Sequence, residues 1–215
     1  MNNELLEQHL NLVIEANKTT NITRISSFEE GMLLHVEDSL SGLDEVNKAP
    51  RGLYGDLGSG AGFPGIPIAI ETGRRTVLVE SVGKKADILR NFISELGLEN
   101  VEVYSGRIED LSQEKRGGFS VLTARALSKL GSLMELSSPL LRKGGMLICY
   151  KSHIEEEEIN HSLELESKLG LRLISDREFY LSDNETFRRV IVFEKYKNPD
   201  IKLPRHVGFA QKKPL

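Results

Sequence analysis

The chain has 215 residues, a net charge of −4, one cysteine, five histidines and no tryptophan. That length holds one full domain with an appendage, and a single cysteine excludes a disulfide framework and, with so few scattered histidines, a structural zinc site. No apolar run approaches the roughly 20 residues of a membrane span, and Glu4, Glu7 and Gln8 stand where a secretory signal would be basic and then apolar, so the chain reads as soluble and cytoplasmic.

Taken in order, residues 4–16 place Leu5, Leu6, His9, Leu10, Val13 and Ile14 near helical spacing, which predicts an amphipathic helix. A second helix is expected over 29–43, with Met32, Leu33, Val36 and Leu40 on one face. Pro50 and Gly52 then mark a boundary. Beyond it, short apolar runs at 53–57, 76–80, 101–104, 119–123 and 146–150 alternate with helical stretches near 66–72, 83–96, 127–139 and 155–169. Such alternation predicts right-handed crossovers and a parallel α/β sheet. Two consecutive strand candidates follow, 171–180 and 186–196, joined by the polar turn Ser182-Asp183-Asn184-Glu185, so the sheet should end in an antiparallel hairpin. The expected organisation is a helical extension over 1–50, the main domain over 51–196 and a basic tail over 197–215.

Charge is uneven along the chain: residues 1–50 carry −6, 51–150 carry +2, 151–187 carry −6 and 188–215 carry +6. A basic end on an acidic protein is either a solvated tail or a grip for an anionic polymer. If the tail is such a grip, its truncation after Tyr196 should weaken the grip and leave small-ligand binding intact.

The densest signal is Gly55-Asp-Leu-Gly-Ser-Gly-Ala-Gly-Phe-Pro-Gly65, directly after the first predicted strand. Gly60, Gly62 and Gly65 match a dinucleotide fingerprint, and Glu80 ends the next strand, where a carboxylate can accept from both ribose hydroxyls. Two details argue against a nicotinamide cofactor and its oxidoreductase chemistry. Asp56 sits at the strand tip, where a pyrophosphate is repelled and an ammonium is welcomed, and Pro64 and Pro67 flank the helix start, where phosphate binding wants free amides. S-adenosylmethionine, with an ammonium, a sulfonium, an adenosine and no phosphate, suits Asp56, Gly58, Gly60 and Glu80.

DLGSGAGFPGIPIAI (56–70), ESVGKKADILRNFISELGLENVEV (80–103), GRIEDL (106–111), TARAL (123–127) and HVEDSL (35–40) closely resemble the bacterial small-subunit rRNA guanine-N-7 methyltransferases, the RsmG (GidB) family. The resemblance runs from about Asn17 to the C-terminal KKPL. It implies a class I methyltransferase fold, Rossmann-like, with S-adenosylmethionine as donor and a guanosine of 16S rRNA, free or in a pre-ribosomal particle, as acceptor. Carried over by position, the donor site uses Gly58, Phe63, Ile108, Glu109 and Arg125. His35, Asp38 and Ser39 also match, although HVEDSL departs from the usual aliphatic or aromatic pair between His and Asp, and no chemical role attaches to them. A non-enzymatic alternative is an RNA-binding assembly factor with a vestigial site.

Guanine N-7 has a free lone pair, so its methylation needs alignment rather than a base. Thr123-Ala-Arg-Ala replaces the Asn/Asp-Pro-Pro-aromatic sequence of exocyclic-amine methyltransferases, and Cys149, inside a predicted strand, reads as core rather than nucleophile. Arg125 is the candidate for positioning at the donor–acceptor junction. Lys84, Lys85, Arg90, Lys151, Arg205, Lys212 and Lys213 are the candidates for RNA phosphates, Lys84 and Lys85 because cations at a helix start oppose the macrodipole. The enzyme is expected to act as a monomer without a metal.

Overall fold

A computed structural model describes residues 2–215, residue 1 lying outside them. The chain opens with α1 (Asn3–Asn17), whose buried Leu6, His9, Leu10 and Val13 recur at helical spacing. Ser27 caps α2 (Phe28–Gly31) by accepting from the Glu30 amide. The helix then widens into a π segment (Met32–Glu37) before narrowing again as α3 (Asp38–Leu40), and α4 (Leu43–Lys48) follows. Sequence periodicity carries no sign of the widened turn, which shifts the faces of the residues beyond it and is a feature often found at functional sites.

The sheet and its connections are β1 (Leu53–Leu57), α5 (Gly65–Thr72), β2 (Thr76–Glu80), α6 (Gly83–Glu95), β3 (Val101–Ser105), α7 (Ile108–Glu114), β4 (Phe119–Arg125), α8 (Leu130–Ser137) and β5 (Leu141–Lys151). Then come α9 (Glu156–Glu164), α10 (Glu166–Leu169), β6 (Leu171–Tyr180), β7 (Phe187–Lys195) and α11 (Phe209–Lys212). Strand order is β3-β2-β1-β4-β5-β7-β6, parallel as far as β5 and antiparallel through β7 and β6, as the alternating pattern and the polar turn predicted.

Three boundaries differ from expectation. β5 begins at Leu141, five residues early, because a register shift lets Leu141 pair with Phe119 ahead of the bulge. The helix expected over 155–169 breaks at Leu165, and α7, too short to show periodicity, went unpredicted.

Successive strand residues face opposite sides. Val77, Val79, Leu147 and Cys149 join the core beneath α8 and α9. Leu78 packs with Leu6, Leu10, Ile66 and Phe92 on the other face, and Ile148 and Tyr150 pack with Val46 and Ile68. Both faces of the parallel strands are thus covered, which is why these strands read as unbroken apolar runs.

Candidate functional site

The strand order reverses between β1 and β4, and in such sheets the crevice beyond the carboxyl ends at that reversal receives ligands. The glycine loop leaves β1 on one side of it. Arg125 ends β4 on the other.

In the loop, Gly60 has φ +56° and an added Cβ would meet nothing nearer than the Gly58 carbonyl at 3.9 Å, so its Cα faces open space. Gly58 has φ +74°, and a Cβ there would lie 2.7 Å from Cδ1 of Leu127. A backbone this exposed and left-handed allows close approach by a ligand and needs glycine. Glu80 braces it: Oε2 accepts from the Gly60 amide at 3.0 Å and Oε1 from the Val82 amide at 2.8 Å. Each carboxylate oxygen retains a lone pair for a further donor.

Asp56 lies beneath this loop. It is 1% exposed, with Oδ2 accepting from the Gly65 amide at 3.2 Å and Oδ1 from the Thr123 hydroxyl at 2.8 Å. Burial pushes its carboxyl up to about 6, against the hydrogen bonds that favour the anion. The expectation that Asp56 meets a ligand ammonium is therefore corrected: its oxygens are turned inward and tie β1 to the start of α5 and to β4.

Ile108 and Glu109, at the start of α7, line a cleft of about 50 Å³ with Gly58, Leu127 and Gln211. Gln211 comes from the C-terminal segment, and Oε1 of Glu109 accepts from the Gly208 amide at 2.6 Å. That segment is anchored: Arg205 grips buried Glu135 through two bonds of 2.8 and 2.6 Å, the Ser132 hydroxyl donates to the Ala210 carbonyl, and Arg116 to that of Leu203. Leu203 and Ala210 are buried. Residues 197–215 thus form a wall of the donor-side cleft, which corrects the expectation that truncation after Tyr196 spares small-ligand binding. The excess of cations masked these apolar anchors in the sequence.

Across the reversal is a groove of about 660 Å³, lined by His35, Asp38, Arg125, Tyr150, Lys151 and Arg188 among others. Asp38 is its hub: Oδ2 accepts from Nη1 of Arg125 at 3.0 Å and Oδ1 from Nε of Arg188 at 3.0 Å. Arg125 also donates to the Leu34 carbonyl at 3.0 Å and lies 5.7 Å from the centroid of the Phe63 ring. Phe63 carries the imidazole of His35 stacked on it at 4.5 Å and touches His9, whose Nε2 donates to the Ala61 carbonyl. Burial, and then the charge of Arg125, push His35 down to about 4, and burial pushes His9 down to about 3. Both rings are neutral at ordinary pH. Ala126, next to Arg125, is held at φ +53°, a strained backbone of the kind that gathers at functional sites.

The expected phosphate ligands fall into two sets. Lys84 and Lys85 at the start of α6 and Lys212 on α11 have no carboxylate partner among the described residues. Arg90 pairs with Asp87, Lys151 with Glu158 at 2.7 Å, Arg205 with Glu135, and Lys213 lies 5.0 Å from the centroid of the Phe209 ring. Thr23 and Arg188 belong to the groove and were missed. Arg188 is one of two adjacent arginines on a strand, and nothing local says which of them faces the groove. Cys149 is buried in β5, its thiol pushed up to about 12 by burial, in the core as expected.

A family model described as "rRNA small subunit methyltransferase G" matches residues 2–180. The chain is 35% identical to the "Ribosomal RNA small subunit methyltransferase G" of Lactobacillus helveticus (strain DPC 4571), covering 99% of this chain and 90% of that one. It is 36% identical to the protein of the same name from Lactobacillus acidophilus, covering 94% and 87%. Among solved structures, a geranyl diphosphate methyltransferase in complex with S-adenosylmethionine superposes with a TM-score of 0.57 at 13% identity, covering 73% of this chain and 84% of that one. At that identity the likeness concerns the fold, which is that of the class I methyltransferases.

Proposed function

The chain belongs to the rRNA small subunit methyltransferase G family, from which we infer that it transfers a methyl group from S-adenosylmethionine to small-subunit ribosomal RNA. The donor supplies an electrophilic methyl on a sulfonium. Glu80 fits its ribose, being a buried carboxylate at a strand end with acceptor capacity left, and the open side of Gly60 gives room for the methionine portion. Ile108 and Glu109 border the adenine side.

The finer reading is that the acceptor atom is N-7 of a guanosine held in the groove beside Arg125. One observation carries it: each group of the groove that could act as a base is already engaged. Both ring nitrogens of His35 have partners, both oxygens of Asp38 hold a guanidinium, and the Tyr150 hydroxyl donates to the Ser39 carbonyl. N-7 attacks with its own lone pair, the carbon–sulfur bond breaks toward sulfur, and the sulfonium charge passes to the base; no proton moves. What Arg125, Asp38 and Phe63 do is hold the surroundings of the acceptor still, a proximity effect worth several kcal/mol.

Incubation of the protein with the donor and small-subunit rRNA, free and as a particle, followed by nucleoside mass spectrometry, should reveal 7-methylguanosine. A methyl group on another atom overturns the N-7 reading; no methylation of either substrate favours an assembly factor with a vestigial site. Action as a monomer in the cytoplasm belongs to the same reading, and sedimentation of the active species tests the first half.

A further inference from the structure

The groove does not end at Arg188. Immediately beyond it, the rings of His153 and Phe187 are stacked, with centroids 4.5 Å apart and planes 8° from parallel, and Tyr180 meets Phe187 edge-on at 5.6 Å and 72°. Three elements bring them together. His153 follows Lys151 and Ser152, both groove residues, at the end of β5; Phe187 begins β7 directly before Arg188; Tyr180 ends β6. Apolar burial does not account for the cluster, because Tyr180 is 58% exposed and His153 is exposed as well.

We propose that this aromatic cluster is a stacking platform for an unpaired nucleobase adjoining the methylated nucleotide. The proposal rests on the reading of the groove as the RNA acceptor site. An aromatic face flanked by a cationic groove is the chemistry that recognises single-stranded nucleic acid, since every base offers a π face and every linkage a phosphate. Here the charges of Arg188 and Lys151 lie only on the groove side. On the other side the β6–β7 turn carries Asp183 and Glu185, and Ser182 donates to Glu37. That acidic tip repels phosphates, so the strand reaches the platform from the groove and goes no further. Continuity with the groove and this one-sided charge favour a nucleobase over an apolar protein segment, which would need no phosphate-compatible approach.

Because the chain has no tryptophan, Tyr180→Trp creates a single reporter at the platform. Titrated with protein-free small-subunit rRNA to concentrations that a mobility shift shows to be saturating, its emission should be quenched, with methylation close to wild type. Tyr180→Ala should raise the KM for RNA at least about fivefold, leaving donor affinity and the single-turnover rate at saturating RNA unchanged. That ratio should persist across a salt series, as stacking does and a charge contact does not. Unquenched emission with bound RNA, or an unchanged KM in the alanine variant, overturns the platform. Quenching only by the assembled particle also overturns it, in favour of a ribosomal protein. The quench is read without turnover, so failure of the wild type to methylate rRNA would strike the reading of the groove separately. Circular dichroism checks that both variants are folded.

Discussion

Nη2 of Arg125 donates to Nδ1 of His35 over 3.2 Å, while Nε2 of the same ring lies 2.8 Å from the Thr23 hydroxyl. A guanidinium only donates, so Nδ1 must present its lone pair and the ring proton resides on Nε2. His35 is thereby fixed as one neutral tautomer. Its pKa of about 4, against 6.5 when unfolded, means that the unfolded chain binds an extra proton between those values. The contribution of His35 to stability is complete above about pH 6.5 and is lost as the pH falls toward 4. The single-turnover rate should therefore be nearly flat from about pH 6 to 9, and an NMR titration should show no midpoint for His35 above pH 5. A midpoint near 6.5, with the rate following it, would make His35 a base and argue against N-7.

Asp56 has the opposite sign. With a folded pKa of about 6 against 3.8 unfolded, the native state binds the extra proton, so this group favours folding as the pH drops through 6 toward 4. Denaturant titrations of wild type and Asp56→Asn at pH 7 and pH 4 should differ in their pH response by about 3 kcal/mol, wild type gaining relative to the variant on acidification. Parallel responses would mean that Asp56 is not a buried anion at pH 7.

Gly60→Ala places a methyl group on the open side of the loop at φ +56°. It should cost about 1–2 kcal/mol of stability from the left-handed backbone and remove most donor binding, whereas Glu80→Gln should weaken the donor by roughly 1–3 kcal/mol through a lost charge-assisted bond. Calorimetry with S-adenosylmethionine reads both. Wild-type affinity in either variant would separate that residue from the donor.

Truncation after Tyr196 removes buried Leu203 and Ala210 and leaves Glu135, 4% exposed, without Arg205. The orphaned carboxylate alone should cost about 3–5 kcal/mol, and loss of Gln211 opens the cleft beside Glu109. A truncated protein that melts like wild type and binds the donor equally well would show that this segment is only a solvated tail.

Lys84→Gln with Lys85→Gln should make the salt dependence of RNA binding shallower by about 1.5 log units per log unit of salt, at about 0.7 for each single-strand phosphate no longer neutralised. Arg205→Gln, already committed to Glu135, should lower the melting temperature and leave that slope unchanged. The reverse pattern would place the phosphate grip on the C-terminal segment.

The strands were legible because their period is short and their burial two-sided; β1 and β2 begin and end where the apolar runs do. The glycine loop and Glu80 were legible because left-handed backbone and strand ends carry local signatures. What was not legible is long-range. His35 and Asp38 are three residues apart and share a helix face by spacing, yet nothing near them reveals that arginines 87 and 150 residues away converge on Asp38. Nor does a run of cations disclose that one of them is already held by a buried glutamate.

The Asp38 clasp also sets an order in time. Its carboxylate comes from the first fifth of the chain, one guanidinium from the middle and the other from β7, near the end. During synthesis from the N-terminus, the glycine loop and Glu80 are available long before Arg188 exists. A nascent chain can thus assemble much of its donor side while its groove still lacks a wall. Competence toward RNA arrives only as the last strand is inserted between β5 and β6, so an unfinished enzyme has no complete place for the ribosomal RNA beside which it is being made.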